Sequence, residues 1–303
     1  IAHAETLSIR RSSRVKAEVP SQGFCMRDLP ISWSRRATLI LGLAVCTTAS
    51  MAQETAQKVS GAYTISLAGI KIGDFYFQSK LQGTRYAVHG DARISALLGS
   101  VSWKGKANSE GVVSGRVLLP AAYRMKYRAS RKKSGDLKIS FADGVVSRIE
   151  MQPPSNPAPD LVPVRAHHLK GAYDPLSAMM ALASGYTTNP CARRVSVFDG
   201  KFRFDLALSF HRRASIRGLR GEQTSVATVC RVRFIPVAGY RDDKNMRKMA
   251  AAQGMEVWMR GVPEADLMVP HEVRVPTFAG QVVLHARRVD IVSRNNRQIA
   301  LVN

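Results

Sequence analysis

The chain has 303 residues, with 45 Lys+Arg against 22 Asp+Glu and a formal charge of +23. An apolar content of 45% supports a sizeable core and excludes disorder throughout, while 22 Gly and 4 Cys exclude collagen-like and cysteine-scaffold classes. Only one long apolar run exists, so a polytopic membrane protein is excluded as well.

That run lies near the start. Residues 27–36, RDLPISWSRR, end in Arg35 and Arg36 and lead into ATLILGLAVCTTASMA at 37–52. Ser50 and Ala52 place small side chains at −3 and −1 of a cut between Ala52 and Gln53, the charged, apolar, small-residue order of a secretory signal peptide. The strongly apolar part, Ala37 to Val45, is too short to span about 30 Å of hydrocarbon at about 1.5 Å per residue. Leu43-Ala44-Val45-Cys46 approaches a lipoprotein box, but Val45 stands where a small residue is required, so lipid anchoring is not expected. Ser34-Arg35-Arg36 resembles a twin-arginine motif, which leaves the export route open. The expected domains are an upstream extension at 1–25, a leader at 26–52 and a single exported β-rich domain at 53–303. Seven basic and three acidic residues precede Gln53, leaving 38 against 19, and the expected location is periplasmic.

From Tyr63 the apolar period is two: Tyr63, Ile65 and Leu67 alternate with Thr64 and Ser66, and Phe75 and Phe77 follow. Further strand-like runs lie at 84–95, 112–119, 122–129, 137–141 and 145–151. At Asp143-Gly144 a plain two-residue loop would set Ile139 against Arg148. A three-residue loop, Ala142 to Gly144, pairs Phe141 with Val145 and Leu137 with Ile149 and is the expected geometry. Residues 152–163, QPPSNPAPDLVP, hold five of the 14 prolines and cannot sit in mid-sheet. They form a connector, read here as a crossover on one continuous sheet, since a lone 90-residue β half would be marginal.

Asp174 can cap a helix with Pro175 in its first turn and Gly185 beyond its end. Its body, LSAMMALAS, is apolar all round and is expected to be buried. Cys191 and Cys230 are the pair left after the leader; in an oxidising compartment they form a disulfide, with two buried thiols or half a metal site as alternatives. No spaced His or Cys neighbours accompany them, so no metal is expected. Runs at 194–198 and 201–210 flank Asp199-Gly200, where a type I′ turn would pair Val197 with Phe202 and Val195 with Phe204. Strand-like runs at 226–236, 255–260, 267–275 and 281–292 follow. A second helix, about 243–253, carries Met246, Met249 and Ala250 as an apolar stripe expected to pack in the core. No strand–helix alternation appears. The fold class is therefore mainly β: a strongly curved antiparallel sheet or open barrel of hairpins with one or two packed helices.

Several motifs, in order, resemble one family. They are YTISLAGIKIG at 63–73, Pro120 with Tyr123, DPLSA at 174–178, Cys191 followed by VFDGKFRFDL at 197–206, and Cys230 with FIPVAGY at 234–240. The chain resembles the exported bacterial family called domain of unknown function 3108, particularly its alphaproteobacterial members, over about residues 60–292. The resemblance implies an envelope location and β architecture, and no chemistry.

Hydrolase, zinc-protease and phosphate-loop motifs are absent. Six histidines follow the leader, and only His167 and His168 are close; on a strand they would point to opposite faces. Asp199, Arg203 and Asp205 form a polar set beside Phe202, Phe204, Leu206, Leu208 and Phe210. They read either as a solvated sheet face or as the wall of a ligand cleft. Residues 124–133 hold six positive charges, with Arg124, Lys126 and Arg128 alternating with Met125, Tyr127 and Ala129. Arg212, Arg213, Arg217 and Arg220 make a second cluster. In the cytoplasm such density would suggest nucleic acid. After export the expected partners are anionic lipid, lipopolysaccharide or acidic glycan, with no nucleic acid and no transmembrane span. The expected function is a non-catalytic envelope binding or assembly factor for a lipid or anionic glycan, needing no cofactor. A hydrolase of an envelope polymer, using Asp199, Asp205 or a histidine, is the alternative.

Overall fold

The structure is a computed structural model that describes residues 56–96, 99–130, 133–154, 160–216 and 225–302. The expected leader, its Ala52/Gln53 cut, the 1–25 extension, the middle of the proline-rich connector, and Arg131, Lys132, Arg217 and Arg220 lie outside the described residues. Every described element falls within one compact unit, Ala52–Asn303.

Fourteen antiparallel strands form one sheet. The N-terminal half holds β1 (Gln57–Leu67), β2 (Ile70–Gln82), β3 (Arg85–Ala96), β4 (Val101–Ser114), β5 (Val117–Ala129), β6 (Ser134–Ala142) and β7 (Val145–Gln152). After the connector come α1 (Pro175–Ala183), β8 (Arg194–Phe198), β9 (Arg203–Ile216), β10 (Ser225–Ala238), α2 (Lys244–Ala251), β11 (Glu256–Val262), β12 (Leu267–Thr277), β13 (Gly280–Val292) and β14 (Gln298–Val302). The spatial order runs β7 to β1, then β13 back to β8, with β14 beside β13. β1 and β13 pair over Lys58–Leu67, which joins the two halves into one sheet. The two edges, β7 and β8, do not pair with each other. Residues 166–173 span the gap instead: Lys170 bridges Val145 at one edge and Tyr173 bridges Val197 at the other. The sheet is thus curled into an open barrel.

The hairpin at Asp143-Gly144 corrects the expected register. Ala142 pairs with Val145, and Asp143 and Gly144 both take positive φ, as a two-residue type I′ turn requires. Phe141 therefore opposes Val146, and Ser147 then bulges out, so that Ile139 opposes Ile149. The bulge restores the apolar pairing that a three-residue loop was expected to provide. At Asp199-Gly200 the register also differs: Val197 pairs with Phe204 and Val195 with Leu206, around a loop of residues 199–202. Asp199 Oδ1 accepts from the backbone of Lys201 (2.9 Å) and Phe202 (2.7 Å), so its side chain builds the longer loop.

The first half of β4 and all of β14 gave no strand signal in the sequence. On β4 the inward positions are Gly105, Ala107, Ser109 and Gly111, small residues between exposed charges. A Cβ added at Gly105 would lie 2.4 Å from the Trp103 ring, and one at Gly111 would lie 2.7 Å from Tyr86 Oη. Large aromatic neighbours cover the space that side chains on β4 would otherwise fill, and this removes the apolar alternation.

Helix α1 lies against the inside of the sheet. Tyr86, Val88, Leu118, Tyr123, Leu137, Ile139, Phe141, Leu176 and Phe198 form the largest core cluster. A second cluster, around Tyr63, Val269, Val289 and Ile291, lies where β1 meets β13. Helix α2 departs from the reading of Met246 and Met249 as core: none of its residues is buried and Met249 is 44% exposed. Asp243 caps it through Met246 N, as a local signal can specify.

Candidate functional site

Helix α1 divides the barrel interior. Its first turn is tied down by Asp174, which is fully buried and accepts from Leu176 N and Ser177 N at 3.0 Å each. The other carboxylate oxygen accepts from Ser109 Oγ (2.8 Å) and Ser177 Oγ (2.6 Å), and Tyr86 Oη lies 2.7 Å from Ser177 Oγ. Burial raises the Asp174 carboxyl above the usual carboxylate range, and the bonds from Ser177, Ser109 and Leu176 offset part of that rise. This network pins the helix to β3 and β4, and it gives the DPLSA motif a structural task.

The far end of α1 opens onto a cavity of about 1110 Å³. Its walls include Phe75, Phe77 and Val59 from β1 and β2, Met179 and Met180 from α1, and Leu206, Val257 and Val269 from the other half of the sheet. The sequence predicts a fully buried helix; only Leu176, Ser177 and Ala178 are buried, and its later residues face this space. Arg116, Arg193, Arg194 and Arg294 line the rim, beside Glu264 and Asp266. Two of these arginines are occupied. Arg193 donates to the carbonyls of Ala181, Leu182, Ser184 and Gly185, capping the C-terminus of α1 at 2.9–3.2 Å. Arg194 binds Asp205. Arg116 and Arg294 form no ion pair with a described residue. Burial first, and Arg116 second, lower the Arg193 guanidinium from its ordinary value. The cavity can therefore take an apolar body and set an anionic end against unpaired cations.

The polar set read from the sequence is placed elsewhere. Arg203 and Asp205 are 8% and 3% exposed and lie off the cavity wall, so the expected solvated face is in fact a buried ion-pair network. Asp205 accepts from Arg203 (2.5 Å), Arg194 (2.5 and 3.0 Å) and Ser196 (2.8 Å), while Arg203 also donates to His168 O and Phe204 O. Burial pushes the Asp205 carboxyl up, but the three donors outweigh it and hold it below the usual range. Asp199 belongs to its own loop. Phe210, expected on the apolar face, is 58% exposed beside the bulge at His211.

Arg124, Lys126 and Arg128 point outward from β5 as their alternation predicts. Lys126 meets Asp136 at 3.3 Å. Arg124 lines a shallow outer groove of about 740 Å³ with Lys58, Lys80 and His89. Of the second cluster, Arg212 binds Glu256 at 2.9 Å and covers Trp258.

Cys191 and Cys230 form a disulfide with Cα atoms 5.3 Å apart, both buried against Leu208, Val257 and Met259. His167 and His168 lie on a tight helical turn, not a strand, and their rings approach to 4.0 Å. A second pair was not legible in the sequence: His271 and His285 sit 4.9 Å apart, with His285 bonded to Glu272. Burial, then His285, lowers His271 to about 4, while Glu272 opposes the shift. Among the described residues no group of three or more His, Cys, Asp or Glu is placed to hold a metal, and no helix is long and apolar enough to cross a membrane.

The molecule is an open antiparallel barrel with an internal helix and an apolar cavity, a class defined by architecture. The chain belongs to the family described as "Protein of unknown function (DUF3108)", whose model matches residues 62–287. No curated protein matches it. Among solved structures it is similar to a β-barrel-like protein of domain of unknown function DUF1849 from Brucella abortus, at 9% identity and a TM-score of 0.46, covering 79% of this chain and 98% of that one.

Proposed function

We propose that this is an exported, non-catalytic envelope protein that binds an amphiphile with an acyl-type apolar body and an anionic head group. The cavity carries the reading. Its volume of about 1110 Å³ is slightly above the roughly 300–1,000 Å³ common for small-molecule sites, and its walls are mainly aliphatic and aromatic. Burying an apolar chain there is worth about 25 cal/mol per Å² removed from water. Arg116 and Arg294 on the rim favour an anionic head, and the apolar lining favours a lipid over a glycan. The buried Cys191–Cys230 disulfide and the leader-like residues 27–52 support export to an oxidising compartment.

The test is titration of the chain from Gln53 with a fluorescent fatty-acid probe, displaced by single-chain anionic and neutral amphiphiles. Saturable one-to-one binding is expected. Ala183→Trp, which fills the cavity from α1, should weaken it at least about tenfold without lowering the melting temperature. Arg116→Glu should weaken anionic amphiphiles more than neutral ones. An absence of saturable binding, or affinity unchanged by Ala183→Trp, would overturn the proposal.

A further inference from the structure

The end of the barrel opposite the arginine rim has a different surface. The turns β1–β2 and β12–β13 lie there, with the last residues of β3 and β5 and the first residues of β4 and β6 beside them. These two hairpins stand side by side: Ala68 N donates to Gln281 O at 2.9 Å, and a Cβ on Gly280 would lie 3.1 Å from that of Ala68. Their tips carry Ile70, 70% exposed, and Phe278, as exposed as in an extended chain at 107%. Neither turn requires them. Phe278 stands in a two-residue loop, where Gly, Asn or Asp is favoured and an apolar side chain adds nothing to the turn, and Ile70 is the first residue of β2, paired with Leu67. Val101, at the start of β4 on the same end, is 48% exposed.

Behind these tips the outer face carries a row that starts at Asp74 on β2, opposite Arg93, and continues as three cations. Arg93 on β3 is directly opposite Lys104 on β4, which is opposite Arg128 on β5. Cations facing each other across strands are destabilising unless something neutralises them. The next row shows such neutralisation: Lys106 and Lys126 are also opposite, but Asp91 and Asp136 flank them at 3.6 and 3.3 Å. In the row nearer the tips only Arg93 has an acidic contact, with Asp91 at 3.4 Å, whereas Lys104 and Arg128 form no ion pair with a described residue.

We infer that this end docks on an anionic lipid bilayer, with Ile70, Phe278 and Val101 entering the headgroup region and Arg93, Lys104 and Arg128 meeting lipid phosphates. Exposed apolar tips backed by cations, of which Lys104 and Arg128 form no ion pair with a described residue, fit an interface that offers both an apolar layer and negative charge. A soluble polyanion would meet the cations and leave the tips in water. The inference uses none of the cavity residues, so either can fail while the other stands.

The experiment is vesicle flotation of the chain from Gln53, with phosphatidylcholine vesicles containing or lacking about one third phosphatidylglycerol. Retention on the anionic vesicles is expected, falling as salt rises. The triple variant Arg93→Gln, Lys104→Gln, Arg128→Gln should bind about a hundredfold more weakly, since each contact is worth about 1 kcal/mol and about 1.4 kcal/mol is tenfold. The double variant Ile70→Ser, Phe278→Ser should lose at least about tenfold at unchanged salt dependence. All these side chains are exposed, and an unchanged melting temperature confirms folding. Failure to float with anionic vesicles, equal binding to neutral ones, or indifference to both variants would overturn the inference. So would binding to a soluble acidic polysaccharide with none to vesicles.

Discussion

The two halves of the sheet meet the same helix in different ways. Around β3–β6 the first turn of α1 is packed solid, and each buried polar group there has partners: Asp174 with Ser109 and Ser177, and Ser177 with Tyr86. Around β9–β12 the later turns face a cavity, and His271 Nδ1 is buried without a hydrogen-bond partner among the described residues. The first turn is held in a polar network, and the later turns lie beside an open space that β1 and β2 wall together with β9–β12. Solid packing and satisfied polar groups stabilise a fold, whereas unfilled apolar volume forgoes contacts.

Leu208, Val257 and Met259, which line the cavity, pack on the Cys191–Cys230 tie. Replacing both Cys191 and Cys230 by Ser should lower stability by about 4 kcal/mol for a separation of 39 residues, read as the urea midpoint, and reductant should reproduce the loss in the unmodified protein. On the packed side, Asp174→Ala removes the cap and the carboxylate bonds of Ser109 and Ser177, whose hydroxyls keep each other (2.8 Å) and Tyr86 Oη as partners. A loss of about 3 kcal/mol is expected from a cap worth about 1 and lost bonds to a buried carboxylate at about 1.5–3. A near-neutral result would show that α1 is not anchored there. Asp174 also has a raised carboxyl pKa, so its own contribution should fall as pH rises through the folded value, when the buried group must ionise.

A third measurement separates the halves by pH. His271, at about 4, binds its proton less well folded than unfolded. Its contribution is complete above about pH 6.5 and is lost as pH falls toward 4, approaching about 3 kcal/mol at about 1.4 kcal/mol per pKa unit. The groups around it are His285, Glu272 and Arg260. His271→Leu should flatten the stability profile between pH 6.5 and 5, above the range where Asp205, Glu256 and Glu272 begin to protonate. The smallest expected effect is at the open end of the helix. Arg193→Ala removes four bonds to partly exposed carbonyls and should cost about 1–2 kcal/mol, while weakening amphiphile binding by loosening the wall that α1 forms.

Much of the candidate site was only partly legible. The helix at Asp174 could be read because its cap, its Pro175 and its apolar run are neighbours in the chain. What its apolar face would meet could not, since Phe75, Leu206 and Val269 reach it from three distant strands. Arg203 and Asp205 are two residues apart and their pairing was visible. Their burial depended on Arg194, Ser196 and the His168 carbonyl arriving from other segments. His271 and His285 are fourteen residues apart on paired strands, and a bulge between Trp258 and Met259 helps set which residues face one another.

By itself the sequence determined the β architecture, both helix starts, the outward cations of β5 and the membership that its ordered motifs announced. These rest on local rules of period, capping and turn chemistry. Tertiary structure alone decided the registers at Asp143 and Asp199, the exposure of α2, the burial of Asp205 and the presence of a cavity beside α1. Those are settled by how curvature distributes volume among residues far apart in the chain, which no local pattern encodes.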